Sequence, residues 1–161
     1  MKTLVACWSN TGRTKAVGLN IAERLGADVE IIEDSYPATG FMAMIRTFLA
    51  ILLRGVREIA PPRHVPGEYD LVVIGTPIWG WAMVPPLRAY LRREGKHFAR
   101  VAFFCTEGGS GSVGAFREME KLTAQGPVAT LVVRDPDYKA HRVDDLIDDF
   151  VLKLRSVGRA A

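Results

Sequence analysis

The sequence contains little cysteine. Cys7 and Cys105 are its only two cysteines in 161 residues, too few for a disulfide framework. Each stands at the end of a predicted strand. If those strands lie two places apart in one sheet, they are separated by roughly 9.6 Å, beyond the ~7 Å between Cα atoms that a disulfide can span. We therefore expect two reduced thiols buried in the core.

The sequence also lacks a strong charge of either sign. Its net charge is +3, and Lys and Arg are dispersed rather than clustered with aromatic residues, so we expect no nucleic-acid partner. Met1 and Lys2 lead directly into a strand without an apolar leader segment, which predicts a cytoplasmic protein. A chain of this length with 48% hydrophobic residues predicts a single domain over residues 1–161.

The most informative stretch is Thr3 to Thr14. Leu4 to Trp8 is an apolar run typical of a strand buried on both faces, and Ser9 to Thr14 is small and polar. Between Ala16 and Leu25 the apolar residues recur at helical spacing. The stretch therefore predicts a turn that joins a strand to the N-terminus of a helix.

Such a turn can bind a phosphate, because the first backbone N–H groups of a helix have no partner and the helix dipole favours an anion there. The candidate ligands add hydroxyl and amide donors and one flexible position: Ser9, Asn10, Thr11, Gly12 and Thr14. Arg13 is the nearest cation, but neutral donors alone could surround the phosphate. The stretch lacks the lysine of the ATP- and GTP-binding loop. An ordinary turn capped by Ser9 or Thr11 remains the alternative.

Two later loops carry further candidates. The strand Tyr69 to Gly75 precedes Thr76 to Val84, in which Trp79 and Trp81 could form one side of a flat pocket; alternatively both fold back on the core. The strand Arg100 to Cys105 ends at Thr106 to Ser112.

Glycines in this later loop match the dinucleotide fingerprint at Gly109, Gly111 and Gly114. Because this loop does not follow the first strand, we favour a different interpretation. The glycines would let backbone amides approach a ligand that the two earlier loops position.

The remaining segments complete an alternation of strands and helices. We predict a strand over Asp28 to Glu33, helices over Leu87 to Arg93 and Val113 to Ala124, a strand over Val128 to Val133, a polar turn over Arg134 to Lys139 and a final helix over Ala140 to Ser156. Because its apolar residues form one face, the last helix should expose Asp144, Asp145, Asp148 and Asp149, and we expect no metal site. We assign no catalytic residue, and His64, His97 and His141 are predicted to lie on the surface.

Phe41 to Ile59 is a helix candidate with more apolar surface than one face requires. We favour burial of the extra surface inside the protein or in a homodimer. Peripheral contact with a membrane surface is the alternative, because Arg46, Arg54 and Arg57 lie beside the apolar residues.

The alternation predicts an α/β protein with a five-stranded parallel sheet and helices on both faces. The loops after strands 1, 3 and 4 converge at one edge only if the strand order is 2-1-3-4-5.

The motif Ser9-x-Thr11-Gly12-x-Thr14 resembles the phosphate loop of the flavodoxin-like superfamily, and Trp8 to Thr14 is similar to the form found in short-chain flavodoxins. Asn10 replaces a glycine and Arg13 an asparagine. The resemblance implies a flavodoxin-like three-layer sandwich that binds FMN.

The resemblance also implies the cofactor-binding residues. The phosphate loop would comprise Ser9, Asn10, Thr11, Gly12, Arg13 and Thr14. The isoalloxazine ring would be contacted by Thr76, Pro77, Ile78, Trp79, Gly80 and Trp81, with Trp79 as the stacking partner. Its pyrimidine edge would be closed by Thr106, Glu107, Gly108, Gly109, Ser110 and Gly111.

These loops are more similar to flavodoxin-like reductases than to electron carriers, whose flavin surroundings are acidic. We therefore expect an FMN-dependent oxidoreductase that takes two electrons from NAD(P)H and reduces a quinone or similar acceptor. A one-electron carrier with a protein redox partner and a non-catalytic flavin-binding protein are the alternatives.

Overall fold

The structure is a computed structural model that describes residues 1–33, 35, 55 and 58–159. Its parallel strands are β1 (Thr3–Cys7), β2 (Asp28–Ile31), β3 (Leu71–Trp79), β5 (Val101–Glu107) and β6 (Thr130–Arg134). Their order is β2-β1-β3-β5-β6, and the short strand β4 (Ala82–Met83) pairs antiparallel with the end of β3. With β4 set aside, this is the predicted order 2-1-3-4-5.

Helices cover both faces of the sheet. In the described part of the chain they are α1 (Arg13–Leu25), α2 (Pro85–Glu94), α3 (Ser112–Thr123), α4 (Asp135–Lys139) and α5 (Val143–Arg159). Successive residues of a strand point to opposite faces, so Leu4 packs with residues of α2 and α3, whereas Val5 packs with residues of α1 and α5. This burial on both faces explains why the residues of β1 from Leu4 to Cys7 are all apolar.

The aspartates of α5 are exposed, as predicted, and two of them tie α5 to α1. Arg24 donates to Asp144 (3.0 Å) and Asp148 (2.6 Å). Hydrogen bonds from Arg24 and Asn20 lower the pKa of Asp144. No group of three or more potential metal-ligating side chains occurs among the described residues.

Both thiols lie in the core. Cys7 pairs in register with Gly75, and Cys105 with Thr76, which places the two cysteines two strands apart and free, as expected. Burial raises the pKa of Cys7 to about 12. Neither thiol is therefore a candidate nucleophile.

Two strands extend further than predicted. β3 continues through Thr76 to Trp79, and β5 includes Thr106 and Glu107. The prediction of a loop over Thr76 to Val84 is therefore wrong. Its first residues extend β3, and β4 pairs with the end of β3 to form a hairpin. The extension is stabilised by the pairing of Pro77 with Thr106 and of Ile78 with Met83.

The polar turn predicted over Arg134 to Lys139 is also wrong, because it forms the last residue of β6 and helix α4. Asp137 caps this helix, since its carboxylate accepts the Arg134 N–H (2.8 Å).

The predicted helix Phe41 to Ile59 lies almost entirely outside the described residues. Gly55, Glu58 and Ile59 are described and are not helical. The chain near Ile59 instead pairs with the segment after β2: Ala60 N donates to Glu33 O (2.9 Å) and Ser35 N donates to Glu58 O (3.2 Å). The prediction that a helix continues to Ile59 is therefore wrong. Among the described residues, no helix has the length and apolar character needed to cross a membrane.

Two glycines allow close packing around the Phe104 ring, between the sheet and α1. Phe104 lies opposite Gly75 in the register, and a Cβ at Gly75 would stand 2.0 Å from Phe104 Cζ. A Cβ at Gly18 of α1 would stand 3.3 Å from the same atom. The ring fills the space above Gly75, and together with Cys7 Sγ, which would stand 3.1 Å from a Cβ at Gly18, it limits how closely α1 approaches the sheet.

We predict that Gly75→Ala lowers the free energy of unfolding by about 3 kcal/mol, because the added methyl group overlaps a ring held in a packed core. Chemical denaturation of the apoprotein measures this change. Gly109→Ala is the matched control: a Cβ there meets nothing within 4 Å, so the change should stay within about 0.5 kcal/mol. Equal stability of the two variants would contradict this account of the packing.

Candidate functional site

A cleft of about 260 Å³ opens at the carboxyl edge of the sheet. Of the predicted site residues it is lined by Ser9, Asn10, Thr11, Arg13, Thr14, Pro77, Ile78, Trp79, Thr106, Glu107 and Gly108. Those that do not line it are Gly12, Thr76, Gly80, Trp81, Gly109, Ser110 and Gly111. Asp135 and Tyr138 also line it and were not predicted.

The loop after β1 presents the N-terminus of α1 to this cleft. Gly12 adopts a φ of 92°, the left-handed region that favours glycine, and the helix starts at Arg13. Ser9 Oγ accepts the Gly12 N–H (3.1 Å) and stabilises the turn. Gly12, the N-cap of α1, has no side chain to cap the helix, no other described side chain accepts a hydrogen bond from its first-turn N–H groups, and that turn contains no acidic residue. The first N–H groups of the helix are therefore available to an anion.

Thr14 and Thr106 connect this helix to the end of β5. Their hydroxyl oxygens are 2.8 Å apart, and Thr14 is 1% exposed. In a hydrogen bond between two hydroxyls, one group donates and the proton of the other remains free. The pair therefore holds the first turn of α1 in place and can still donate one hydrogen bond to a ligand.

The β3–β4 hairpin forms the opposite wall. Gly80 and Trp81 have φ values of 54° and 60°, which match the two-residue type I′ turn of a hairpin. Trp79 lines the cleft and packs edge-on against Trp8, with ring centroids 5.3 Å apart. Thr76 is buried, and its hydroxyl accepts the Val84 N–H (3.4 Å) at the return of the hairpin.

The glycine-rich loop after β5 supports the tip of this hairpin. A Cβ at Gly111 would stand 2.8 Å from Trp81 Cα and 2.7 Å from Ile78 Cγ2. The indole N–H of Trp81 donates to Ser110 Oγ (3.2 Å). Gly111, which the dinucleotide fingerprint includes, thus allows close packing of the hairpin.

Glu107 is a buried carboxylate in the wall of the cleft. It accepts hydrogen bonds from Ser112 N (2.9 Å) at the start of α3 and from Arg134 Nε (2.8 Å). The carboxylate therefore caps a helix, and the Arg134 guanidinium balances its charge.

Helix α4 supplies the residues that sequence reasoning missed. Arg13 Nη1 lies 2.5 Å from Asp135 Oδ1, and its guanidinium lies 5.2 Å from the centre of the Tyr138 ring. The Tyr138 hydroxyl oxygen is buried and has no hydrogen-bond partner among the described residues, and burial raises its pKa. One feature could have indicated these residues from the sequence: β6 ends at the same edge of the sheet as the other parallel strands, so the residues after it lie near the cleft.

A smaller cavity of about 90 Å³ lies near the end of β2 and is lined by Glu30 and Tyr90 among others. The buried Glu30 carboxylate accepts hydrogen bonds from the backbone N–H groups of Arg63 (2.8 Å) and His64 (2.9 Å). Its Oε2 also lies 2.9 Å from His64 Nδ1. His64 is therefore only partly exposed, whereas His97 and His141 lie on the surface as predicted. None of the three histidines lines the larger cleft.

No protein-family model matches the chain, and no curated protein sequence matches it. Solved structures do. A flavoprotein from Lactobacillus acidophilus in complex with FMN has a TM-score of 0.69 and 21% identity, over 88% of this chain and 97% of that one. A candidate flavoprotein from Bacteroides uniformis has a TM-score of 0.73 and 20% identity, over 91% and 97%. An archaeal flavodoxin has a TM-score of 0.54 and 18% identity, over 96% and 99%.

These similarities define the class of fold. The order of the strands and the helices on both faces are those of the flavodoxin-like fold. The chain therefore has the flavodoxin-like fold that the first loop implied.

Trp81 holds an unfavourable backbone conformation without burying its side chain, which is 74% exposed. We predict that Trp81→Asn raises the free energy of unfolding of the apoprotein by about 0.5–1 kcal/mol, because asparagine tolerates a positive φ better than a bulky residue and the hydrogen bond to Ser110 that is lost is exposed to solvent. Thermal or chemical denaturation tests this prediction.

Trp79→Asn is the comparison variant. It should destabilise the protein by about 1–3 kcal/mol, because Trp79 packs on Trp8. If Trp81→Asn were equally destabilising, the side chain of Trp81 would be contributing contacts that outweigh the backbone strain.

Proposed function

We propose that the cleft binds FMN, with the phosphate at the loop Ser9 to Thr14. The observation that carries this proposal is the start of α1, where no side chain of the described residues accepts a hydrogen bond from the first N–H groups and no acidic residue lies in the first turn. Hydroxyls of Ser9, Thr11 and Thr14 lie in the same wall of the cleft. These neutral donors suit a phosphate ester that the protein must bind without a dedicated cation.

The ring of the flavin would lie between the hairpin and the end of β5. Pro77, Ile78 and Trp79 offer apolar surface on one side, and Thr106 to Gly108 offer backbone groups on the other. When bound, FMN supplies the redox chemistry, accepting and donating one or two electrons. The protein contributes binding, orientation and exclusion of water by these residues.

The FMN complex of the Lactobacillus acidophilus flavoprotein supports the choice of cofactor, since that protein shares the fold over most of both chains. Within the set of cofactor-binding residues predicted from sequence, we assign direct contact only to those that line the cleft. We add Tyr138, whose buried hydroxyl could donate to the ribityl chain or the phosphate.

We propose further that the protein is an NAD(P)H-dependent reductase that passes two electrons to a quinone or similar acceptor. The carboxylates of the cleft support this proposal, because each has an arginine partner: Glu107 has Arg134 and Asp135 has Arg13. A reduced, anionic flavin would therefore meet little net negative charge, which favours a higher potential for full reduction. An electron carrier with an acidic flavin environment would oppose that charge.

We predict that Thr11→Val weakens FMN binding about five- to tenfold, the loss expected for one hydrogen bond to a charged group, and leaves riboflavin binding unchanged. Quenching of flavin fluorescence measures both affinities. Thr130→Val is the control, because this exposed threonine starts β6 at the other edge of the sheet.

The two flavins separate the possible results. An equal loss for FMN and riboflavin in Thr11→Val would mean that the hydroxyl does not contact the phosphate. Failure of the unmodified protein to bind FMN would overturn the proposed cofactor.

For the reaction, we expect anaerobic addition of NADH or NADPH to the FMN-loaded protein to bleach the visible flavin absorbance in one two-electron phase. Subsequent addition of a quinone should restore the absorbance. If neither nucleotide bleaches the flavin while dithionite reduces it in two resolved one-electron steps, the protein is a one-electron carrier. If dithionite reduces it but no nucleotide and no quinone reacts, the reductase proposal is likewise wrong.

A further inference from the structure

Arg13 places a cation beside the proposed phosphate site, yet its side chain is engaged elsewhere. It is the first residue of α1, so its backbone N–H belongs to the group of donors offered to the phosphate. Its guanidinium instead contacts Asp135 (2.5 Å) and lies over the Tyr138 ring, both in α4. The Arg13 guanidinium is therefore directed toward α4, the helix that follows the last strand of the sheet.

The contact between Arg13 and Asp135 is exposed. The two side chains are 60% and 47% exposed, and exposed ion pairs of this kind contribute little to folding stability. Both residues line the cleft. The pair is therefore placed where it can affect a ligand more than it affects the fold.

We propose that Asp135 is a positioning residue that sets the affinity for the phosphate of the ligand by holding Arg13 away from it. This inference rests on the proposed phosphate site at α1. Without the Asp135 carboxylate, the Arg13 guanidinium is free to turn toward its own helix N-terminus and donate to the phosphate dianion. The carboxylate therefore keeps the site neutral, so that FMN is bound by uncharged donors alone.

The direction of the effect follows from competition between two anions for one guanidinium. In the unmodified protein the carboxylate is tethered close to Arg13, and the phosphate gains little from the arginine. When the carboxylate is removed, the dianion becomes the stronger partner, because charge-assisted hydrogen bonds to phosphate are strong and can be bidentate. The resulting gain should weaken with salt, since the contact is exposed.

The test begins with Asp135→Asn, which keeps the size of the side chain and removes its charge. We expect the Kd for FMN to fall about fivefold at low salt, the size of one exposed charge pair, and the Kd for riboflavin to stay the same. Inorganic phosphate should raise the melting temperature of this apoprotein variant more than that of the unmodified apoprotein. The phosphate measurement requires no flavin.

Two comparisons isolate the role of Arg13. In an Arg13→Met background, Asp135→Asn should no longer change the affinity for FMN or phosphate. Asp148→Asn is the matched charge control, because it also removes one carboxylate that binds an arginine, Arg24, but on α5 outside the cleft. It should leave both affinities unchanged.

Each other outcome overturns the inference in a recognisable way. If Asp135→Asn tightens binding equally with and without Arg13, the carboxylate repels the phosphate directly. If Asp148→Asn tightens binding equally, the effect is one of net charge. If the unmodified protein and Asp135→Asn bind FMN and phosphate with equal affinity, Asp135 has no positioning role, although FMN binding itself stands. If no variant binds FMN or phosphate, the proposed function fails with it.

Discussion

The packing of Phe104 between two glycines is the contact on which the geometry of the cleft depends. The ring occupies the space above Gly75 and below Gly18, and with Cys7 Sγ beside it limits how closely α1 approaches the sheet. The Thr14–Thr106 hydrogen bond then fixes the first turn of that helix against the end of β5. The N–H groups at the start of α1 therefore reach the cleft because of contacts made deep in the core.

A second feature of the cleft is that its carboxylates are neutralised locally. Arg134 forms an ion pair with Glu107, and Arg13 forms one with Asp135. In the first pair, Glu107 also accepts a hydrogen bond from the N-terminus of α3, whereas the Arg13–Asp135 pair is exposed and joins α1 to α4. The Glu107–Arg134 pair thus fixes the charge in the wall of the proposed ring site. The exposed Arg13–Asp135 pair, at the proposed phosphate end, can exchange its partners.

The fold was predictable from sequence because β1 and the first parts of β3 and β5 are short apolar runs, and helical spacing of apolar residues follows each of them. The first loop was predictable because Ser9, Thr11 and Thr14 follow directly after β1. The hairpin was not: Gly80-Trp81 places a tryptophan at a positive φ, which no turn preference indicates. The roles of Asp135 and Tyr138 depend on contacts with Arg13, 122 residues away from Asp135 in the sequence, and local patterns do not carry such information.

The bonds from Arg24 to Asp144 and Asp148 also bear on the order in which the protein can be completed. They join the first helix to the last across 120 and 124 residues of chain. During synthesis from the N-terminus, the β1–α1 unit emerges long before α5 exists. Val17 and Ile21 of α1 belong to the same buried cluster as Ile147 and Phe150 of α5. On the ribosome, α1 can acquire its full cover only after α5 has emerged, so the loop between β1 and α1 is made long before its supporting helix is complete.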